Sequence, residues 1–234
     1  MRYAIYFTPP QGHALTVAAS SWLGRDAFFN ESIDQAPIAG FSQEEIKGLT
    51  AEPRRYGFHA TLKAPFSLKD GETQESLMDG FQEFCTNTVA FDIPKVVVGQ
   101  LGPFFAVVPD QVYPALQDFT TSVVQFFERF RAPLSDADMA RRKPEKLSER
   151  QRQLLEQWGY PYVMEEFRFH MTLTGPVDAA QSPAMRDALE NTFADFTHGA
   201  LPVSGLGLFV EESRGAPFTI LRWLPLRAAR SPGN

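Results

Sequence analysis

A five-residue pattern occurs twice in this chain, as FHATL at residues 58–62 and as FHMTL at residues 169–173. The step from His59 to His170 and the step from Pro65 to Pro176 are the same, 111 positions. Each motif precedes a segment of helical periodicity and then two strand-like segments around a glycine-containing turn. A repeated order at constant spacing predicts that one structural unit has been duplicated.

Duplication of a unit that mixes helices and strands predicts an α+β fold. We expect a bilobal duplicated fold in which two mostly antiparallel sheets, backed by helices, surround a central active-site groove. The predicted domain is the whole chain, 1–234, with lobe one at roughly 1–110 and a connector and lobe two at roughly 111–234. Exchange of strands between the lobes is left open. Packing of one copy on the other would bring the two distant histidines together.

Hydrophobic periodicity and capping residues predict where the main elements lie. Helices are predicted at about 13–23, 72–87, 112–131, 148–158 and 182–196. Strands are predicted at RYAIYF, YGFHATLKAPF, IPKVVVGQLG, FFAVVP, FRFHMTLTGPV, LPVSGLGLFV and PFTILRWLPL. Residues 25 to 55 are predicted to be loops with one short helix, which begins at Ser42 with Glu45 completing a capping box.

The two motifs place polar groups on one face of each strand. Side chains alternate across a strand, so Phe58, Ala60 and Leu62 would face the core while His59, Thr61 and Lys63 face the groove. In the second copy the polar side chains are those of Arg168, His170, Thr172 and Thr174, which would face the groove. The apolar side chains between them would again face the core. A register slip of one residue would bury the imidazole and the hydroxyl, so the apolar face enforces this arrangement.

Two imidazoles in one groove can serve as a general acid and a general base in the same step. Threonine hydroxyls two residues further on can donate to phosphoryl oxygens whose charge grows in the transition state. A single histidine in a strand is more often a hydrogen-bonded structural residue, but two of the four histidines share this pattern. Neither motif has a third or fourth metal ligand at useful spacing, so we expect no metal and no cofactor.

The paired motif, His-x-Thr-Leu preceded by phenylalanine in each half, resembles that of the two-histidine (2H) phosphoesterase superfamily. RYGFHATLKAPF together with WGYPYV and FRFHMTLTG is similar to a bacterial branch often encoded beside phosphonate-utilisation genes. The resemblance covers essentially the whole chain. It implies that His59 and His170 are the catalytic pair and that Thr61 and Thr172 hold the phosphate.

The resemblance leaves the substrate open, because relatives act on 2′,3′-cyclic phosphates, RNA ends and other small phosphodiesters. We expect a metal-independent hydrolase that opens small cyclic phosphodiesters of the 2′,3′-cyclic nucleotide or phosphorylated-sugar type. The alternatives are an RNA-end 2′,3′-cyclic phosphodiesterase or ligase, and a phosphometabolite-binding protein without turnover.

Three basic residues near the motifs are candidate substrate-binding residues. Lys63 and Arg168 share the predicted groove faces, and Arg55 lies four positions before His59. Each could instead form a surface salt bridge. Residues between Pro109 and Phe167, including RRKPEK and WGYPYV, would either cover the groove or pack on the outside.

The formal charge of −6 argues against a partner such as long double-stranded nucleic acid, which usually selects a basic surface. A small phosphorylated substrate, a nucleotide or a short RNA end is compatible with it. The single cysteine, Cys85, is predicted to pack in the core, and we see no leader sequence and no apolar run of about 20 residues, the length that a membrane span requires. A monomer in the cytoplasm, away from the membrane, is therefore expected.

Overall fold

Two antiparallel sheets contain the motif strands, one in each sheet. The computed structural model describes residues 1–229 of the chain. The strands are β1 (Arg2–Phe7), β2 (Arg25–Asp26), β3 (Glu31–Ser32), β4 (Ala60–Phe66), β5 (Phe91–Ile93), β6 (Val96–Leu101), β7 (Phe104–Pro109), β8 (Met171–Thr172), β9 (Leu201–Val203), β10 (Gly205–Glu211) and β11 (Thr219–Pro225). The helices are α1 (Ala14–Leu23), α2 (Gln43–Leu49), α3 (Ala51–Tyr56), α4 (Gln74–Asn87), α5 (Pro114–Phe127), α6 (Asp136–Arg141), α7 (Glu149–Trp158) and α8 (Ser182–Thr192). The predicted α+β class is confirmed.

Both sheets combine strands from distant parts of the chain. The four-stranded sheet has the order β11–β10–β1–β4, and the three-stranded sheet has the order β6–β7–β8. The smaller pairs are β2 with β3 and β5 with β9. All of these strand pairs are antiparallel. Strand β4 lies against β8, so the two motifs become neighbours.

Strand β4 contains an irregularity next to the first motif. Its register with β1 pairs Tyr6 with Thr61 but Ile5 with Lys63, which leaves Leu62 as an extra residue. An extra residue of this kind is a β-bulge, and it reverses the alternation of side chains beyond it. The face that holds Thr61 therefore continues at Ala64 instead of at Lys63.

Aromatic side chains dominate the core between the sheets and the helices. Phe81 of α4 and Phe127 of α5 are fully buried, and their ring centroids lie 6.3 Å apart. Phe105 of β7 and Phe209 of β10 are also fully buried. Cys85 belongs to the same core cluster as Phe81, Phe105 and Phe127, and its burial raises the pKa of its thiol to about 12. The prediction that this cysteine packs in the core is confirmed.

Capping residues define several helix starts. Ser42 and Glu45 form the predicted capping box of α2, and Ser148 with Gln151 forms another at α7. Predicted helices were too long at two carboxyl ends, because α5 and α8 each give way to 3-10 turns, at Glu128–Phe130 and Ala194–Phe196. Segment 25–55 was predicted with one helix, but it contains a short hairpin and two helices.

The second motif forms less strand than its sequence predicted. Only Met171–Thr172 pair with β7. The backbone N–H groups of Leu173 and Thr174 both donate to the carbonyl of Phe105, at 2.9 and 3.2 Å, so the regular ladder stops there.

Within residues 1–229, none of the helices is both long enough and apolar enough to cross a bilayer.

Candidate active site

A cavity of about 330 Å³ opens where β4 and β8 meet, and its lining includes residues from both motifs. The structure brings His59 and Thr61 of the first motif together with His170 and Thr172 of the second. Thr174 also reaches the cavity, where its hydroxyl accepts a hydrogen bond from the backbone N–H of Phe105 at 3.0 Å. The apolar residues that alternate with them, such as Phe58 and Met171, are buried in the core.

Both imidazoles are held in the same way. Nδ1 of His59 lies 2.9 Å from the carbonyl oxygen of Gly57, and Nδ1 of His170 lies 2.7 Å from that of Arg168. A carbonyl oxygen can only accept, so each Nδ1 carries a hydrogen and donates it. In the neutral ring Nε2 is then the unprotonated nitrogen, ready to accept a proton. At His59 the Thr61 hydroxyl lies 3.3 Å from this atom.

Gly57 allows the first of these hydrogen bonds. Its φ of 77° lies in the left-handed region that favours glycine. A Cβ at this position would meet the Cβ of Ala27 at 2.5 Å, so a larger residue would also clash. The tight turn before β4 therefore requires glycine and aims the carbonyl at His59.

Aromatic rings enclose His59 more than His170. The Tyr6 ring stacks on His59 with centroids 4.0 Å apart and an interplanar angle of 26°, and Tyr56 lies 5.7 Å away. His170 has Phe104 at 5.8 Å, tilted by 55°. The more complete enclosure explains why His59 is the more strongly desolvated of the two.

Burial makes both imidazoles harder to protonate. The pKa of His59 is lowered to about 4, mainly by desolvation; the bond to the Gly57 carbonyl opposes this, and the positive charge of a protonated His170 adds to the lowering. Desolvation also lowers the pKa of His170, and its bond to the Arg168 carbonyl opposes this. Both rings are therefore neutral at pH 7 in the free protein, and His59 is the weaker base.

Lys63 does not lie in the groove, which corrects the prediction that it faces the substrate. Its side chain is 2% exposed, forms an ion pair with Glu128, and donates to the Val124 carbonyl at 3.3 Å. The bulge at Leu62 turns it to the opposite face of β4, towards α5. Burial lowers the pKa of Lys63, whereas the Glu128 carboxylate acts to raise it.

Arg55 was predicted to bind substrate, and its side chain lies outside the cavity lining. Its guanidinium donates to the buried Glu211 at 2.9 Å and lies 4.3 Å from the centre of the Tyr56 ring. It therefore supports Tyr56, which does line the cavity.

Arg168 lies next to the main cavity without lining it. It donates to the backbone carbonyls of Glu165 and Phe167 at 3.0 and 2.8 Å. It lines a neighbouring cavity of about 230 Å³ that also touches Thr61 and His170. Its side chain is thus close to the second histidine but outside the main cavity.

Several lining residues were not among the candidates. Tyr6 of β1 lines the cavity because it pairs with Thr61, and that pairing is not visible in the local sequence. Arg142 and Tyr160 come from the segment between Pro109 and Phe167, and their side chains stack, with the guanidinium carbon 4.9 Å from the tyrosine centroid. The sequence feature that pointed to these two residues is the prediction that RRKPEK and WGYPYV could cover the groove, since RRKPEK contains Arg142 and WGYPYV contains Tyr160.

Among the residues that the structure describes, no group of three or more His, Cys, Asp or Glu side chains is placed to hold a metal ion.

The fold and the site define an α+β protein with two histidines in one cavity. Its sequence matches a family described as "Protein of unknown function (DUF1045)" over residues 61–219, so the chain belongs to this family.

Two curated relatives carry the name "Ribose 1,5-bisphosphate phosphokinase PhnN". The protein from Janthinobacterium sp. (strain Marseille) is 39% identical over 96% of this chain and 50% of its own length. The one from Laribacter hongkongensis (strain HLHK9) is 33% identical over 99% of this chain and 54% of its own length. The chain therefore spans about half the length of the curated relatives it matches. A crystal structure of TT0787 of Thermus thermophilus is 14% identical, with a TM-score of 0.48 over 97% of this chain and 99% of that one.

Proposed function

We propose that this protein is a metal-independent phosphoesterase that opens small cyclic phosphodiesters by acid/base catalysis with two histidines. The observation that carries the proposal is the matched orientation of His59 and His170, each with Nδ1 bound to a carbonyl two residues upstream. In each neutral ring Nε2 is thereby the nitrogen that can accept a proton, and both rings line the cavity that contains Thr61 and Thr172. This arrangement suits a two-histidine phosphoesterase.

The reaction would be an in-line displacement at phosphorus. One imidazole takes a proton from water while the water oxygen bonds to phosphorus. The bond from phosphorus to one ring oxygen breaks, and the second histidine, as imidazolium, gives that oxygen its proton. Hydroxyls of Thr61 and Thr172 donate to the non-bridging oxygens as their charge grows. We assign the base to His59, whose pKa is lowered to about 4, and the acid to His170.

The phosphorylated-sugar class of substrate is favoured by the relatives' printed name, which contains ribose 1,5-bisphosphate. A 5-phosphoribose whose O1 and O2 share a cyclic phosphate would give that compound when the bond from phosphorus to O2 is broken by water. An activity of this kind would supply the substrate named for the longer relatives. The formal charge of −6 also fits a small substrate better than a long RNA.

Turnover in the presence of a chelator tests the proposal. Purified protein in excess EDTA is given 5-phosphoribose 1,2-cyclic phosphate, 2′,3′-cyclic mononucleotides and oligoribonucleotides with cyclic ends, and products are followed by phosphorus NMR in ¹⁸O-water. We expect one ¹⁸O atom in the phosphate monoester that forms from each cyclic phosphodiester. His59→Ala and His170→Ala should each lower kcat by about a hundredfold to ten-thousandfold. Thr61→Val and Thr172→Val should lower it less, because each removes one hydroxyl donor.

His198→Asn is the matched control. His198 is exposed, lies outside the cavity lining and has a φ of 66°, which asparagine tolerates. This variant should keep full activity. Binding of all these compounds without any turnover would favour a phosphometabolite-binding protein, and activity confined to oligoribonucleotides would favour an RNA-end enzyme. Full activity of either histidine-to-alanine variant would rule out the two-histidine mechanism.

A further inference from the structure

A second cavity, of about 190 Å³, adjoins the cavity of the two histidines. The two share Tyr56, Pro65 and Arg142 in their linings, so they lie side by side with these three residues between them. The second cavity lies beside the amino end of β1, near α6 and the turn between β10 and β11.

Four arginines from three separate parts of the chain line this second cavity: Arg2, Arg141, Arg142 and Arg214. Asp138 is the acidic side chain among the described residues that line it. An excess of positive charge in a concave site is unusual for a protein whose formal charge is −6. Like charges brought together this way repel one another unless an anion lies between them.

The carboxylates nearby do not balance this charge. Asp138 is shared, because one of its oxygens lies 2.5 Å from Arg214 and 3.3 Å from Arg141. Glu211 is likewise shared between Arg2, at 2.5 Å, and Arg55, at 2.9 Å.

Arg142, at the junction of the two cavities, forms no ion pair among the described residues, and its guanidinium stacks over Tyr160. Stacking fixes the plane of the guanidinium and leaves its N–H groups available.

We infer that the arginine cavity binds a second phosphate group of the substrate, separate from the phosphodiester that reacts between the histidines. This inference rests on the proposed function. Guanidinium groups donate paired N–H bonds to phosphate oxygens, and such charge-assisted bonds are among the strongest that proteins make. A substrate that fits both cavities carries a cyclic phosphodiester at one end and a phosphate monoester at the other. Arg142 contacts both parts, and Arg141 and Arg214 bind the monoester alone.

A matched pair of substrates tests the inference by kinetics. Adenosine 2′,3′-cyclic phosphate and its 5′-phosphorylated form differ only in the monoester. The wild-type kcat/KM should be at least about tenfold higher for the 5′-phosphorylated compound, which corresponds to about 1.4 kcal/mol of binding to the monoester. In Arg141→Gln/Arg214→Gln this ratio should fall towards one, since Arg142 is then the one of these three arginines that still contacts the monoester. The replaced side chains are 55% and 42% exposed, and the single variant Arg214→Gln serves if the double variant is unstable.

Arg150→Gln is the matched control, because Arg150 is similarly exposed, pairs with Glu165 and lines neither cavity. It should keep the wild-type ratio. Equal kcat/KM values for the two substrates in the wild-type protein would overturn the inference while leaving the proposed function standing.

A binding measurement separates the two proposals when no cyclic compound is turned over. Ribose 5-phosphate, which has the monoester but no phosphodiester, is titrated calorimetrically into the wild-type and variant proteins. We expect binding that Arg141→Gln/Arg214→Gln weakens at least about tenfold and that Arg150→Gln preserves, because charge-assisted bonds to phosphate are lost only in the first. If ribose 5-phosphate binds in this way but no cyclic compound is turned over, the proposed function is refuted and the phosphate site in the arginine cavity is still supported. Unchanged binding in the double variant would refute the site.

Discussion

At the scale of single residues, the two histidines are oriented by their own motifs. Each ring bonds to a carbonyl two positions upstream, so the chain segment that supplies the imidazole also sets its tautomer. The sequence predicted that His59, Thr61, His170 and Thr172 face one cavity, because alternation in a strand is a local property. The lowered pKa values were not predictable, since they depend on Tyr6 and Phe104, which come from other strands.

The pH dependence of kcat/KM should be bell-shaped, with its maximum below pH 6.5. Activity on the acid side is lost as pH falls through the pKa of His59, about 4, because the base becomes protonated. Activity on the basic side is lost as pH rises through the pKa of His170, which burial holds below 6.5, because the acid loses its proton. The kcat profile should lie at higher pH, since a bound phosphate anion favours imidazolium. A kcat/KM maximum above pH 7.5 would contradict this assignment.

His59 should also make the fold sensitive to acid. Its folded pKa of about 4 is below the ordinary value of 6.5, so between these values the unfolded chain binds more protons and stability falls as pH falls. His59→Gln removes this group. Its free energy of unfolding in urea should therefore decrease less than that of the wild type between pH 7 and pH 4.5, with His198→Asn as the control. The same decrease in His59→Gln and wild type would show that His59 titrates normally in the folded protein.

At the scale of elements, the bulge in β4 decides which residues face the site. The sequence predicted the core positions Phe58, Ala60 and Leu62, and all three are buried. It did not predict that Lys63 leaves the groove face, because the bulge exists only through pairing of β4 with β1. A non-local pairing of this kind leaves no local sequence signal, so strict alternation holds in β4 up to Leu62 and fails at Lys63.

The buried pair that results should respond asymmetrically to mutation. Glu128→Ala should destabilise the protein by about 3 kcal/mol, because it leaves the Lys63 ammonium buried without its counter-charge. Lys63→Met should change stability by only about 1 kcal/mol, since Glu128 keeps Arg131 at 2.6 Å and methionine leaves no buried charge on β4. Urea unfolding at pH 7 measures both changes.

The exposed pair of Glu83 with Arg129 provides the comparison for this experiment. Glu83→Ala should cost no more than about 0.5 kcal/mol, because exposed ion pairs contribute little. Lys63→Met should also keep the wild-type KM, because its side chain lies outside the cavity. A higher KM in Lys63→Met than in the wild type would show that Lys63 contributes to substrate binding after all.

At the scale of the whole molecule, the site depends on strands that are far apart in sequence. The repeat with its constant spacing predicted that the histidines meet, and α+β organisation followed from the order of elements. The pairing of β1 with β10 and of β7 with β8 could not be predicted from local sequence patterns, since many strand orders are compatible with the same periodicities. For the same reason the contributions of Arg142 and Tyr160 to the cavity emerged only from the structure.

These pairings predict that neither half of the chain folds alone. A fragment of residues 1–110 would expose the edge of β1 that β10 covers and the edge of β7 that β8 covers. A fragment of residues 111–234 would keep the β10–β11 hairpin without the rest of its sheet, and an isolated hairpin is at best marginally stable in water. Each fragment should give a poorly dispersed NMR spectrum and no cooperative unfolding transition. The intact chain should unfold in one transition, and the two fragments refolded together should recover a dispersed spectrum, because only then does each motif strand regain its sheet. A cooperative transition in the 1–110 fragment alone would show that the first half is an independent folding unit.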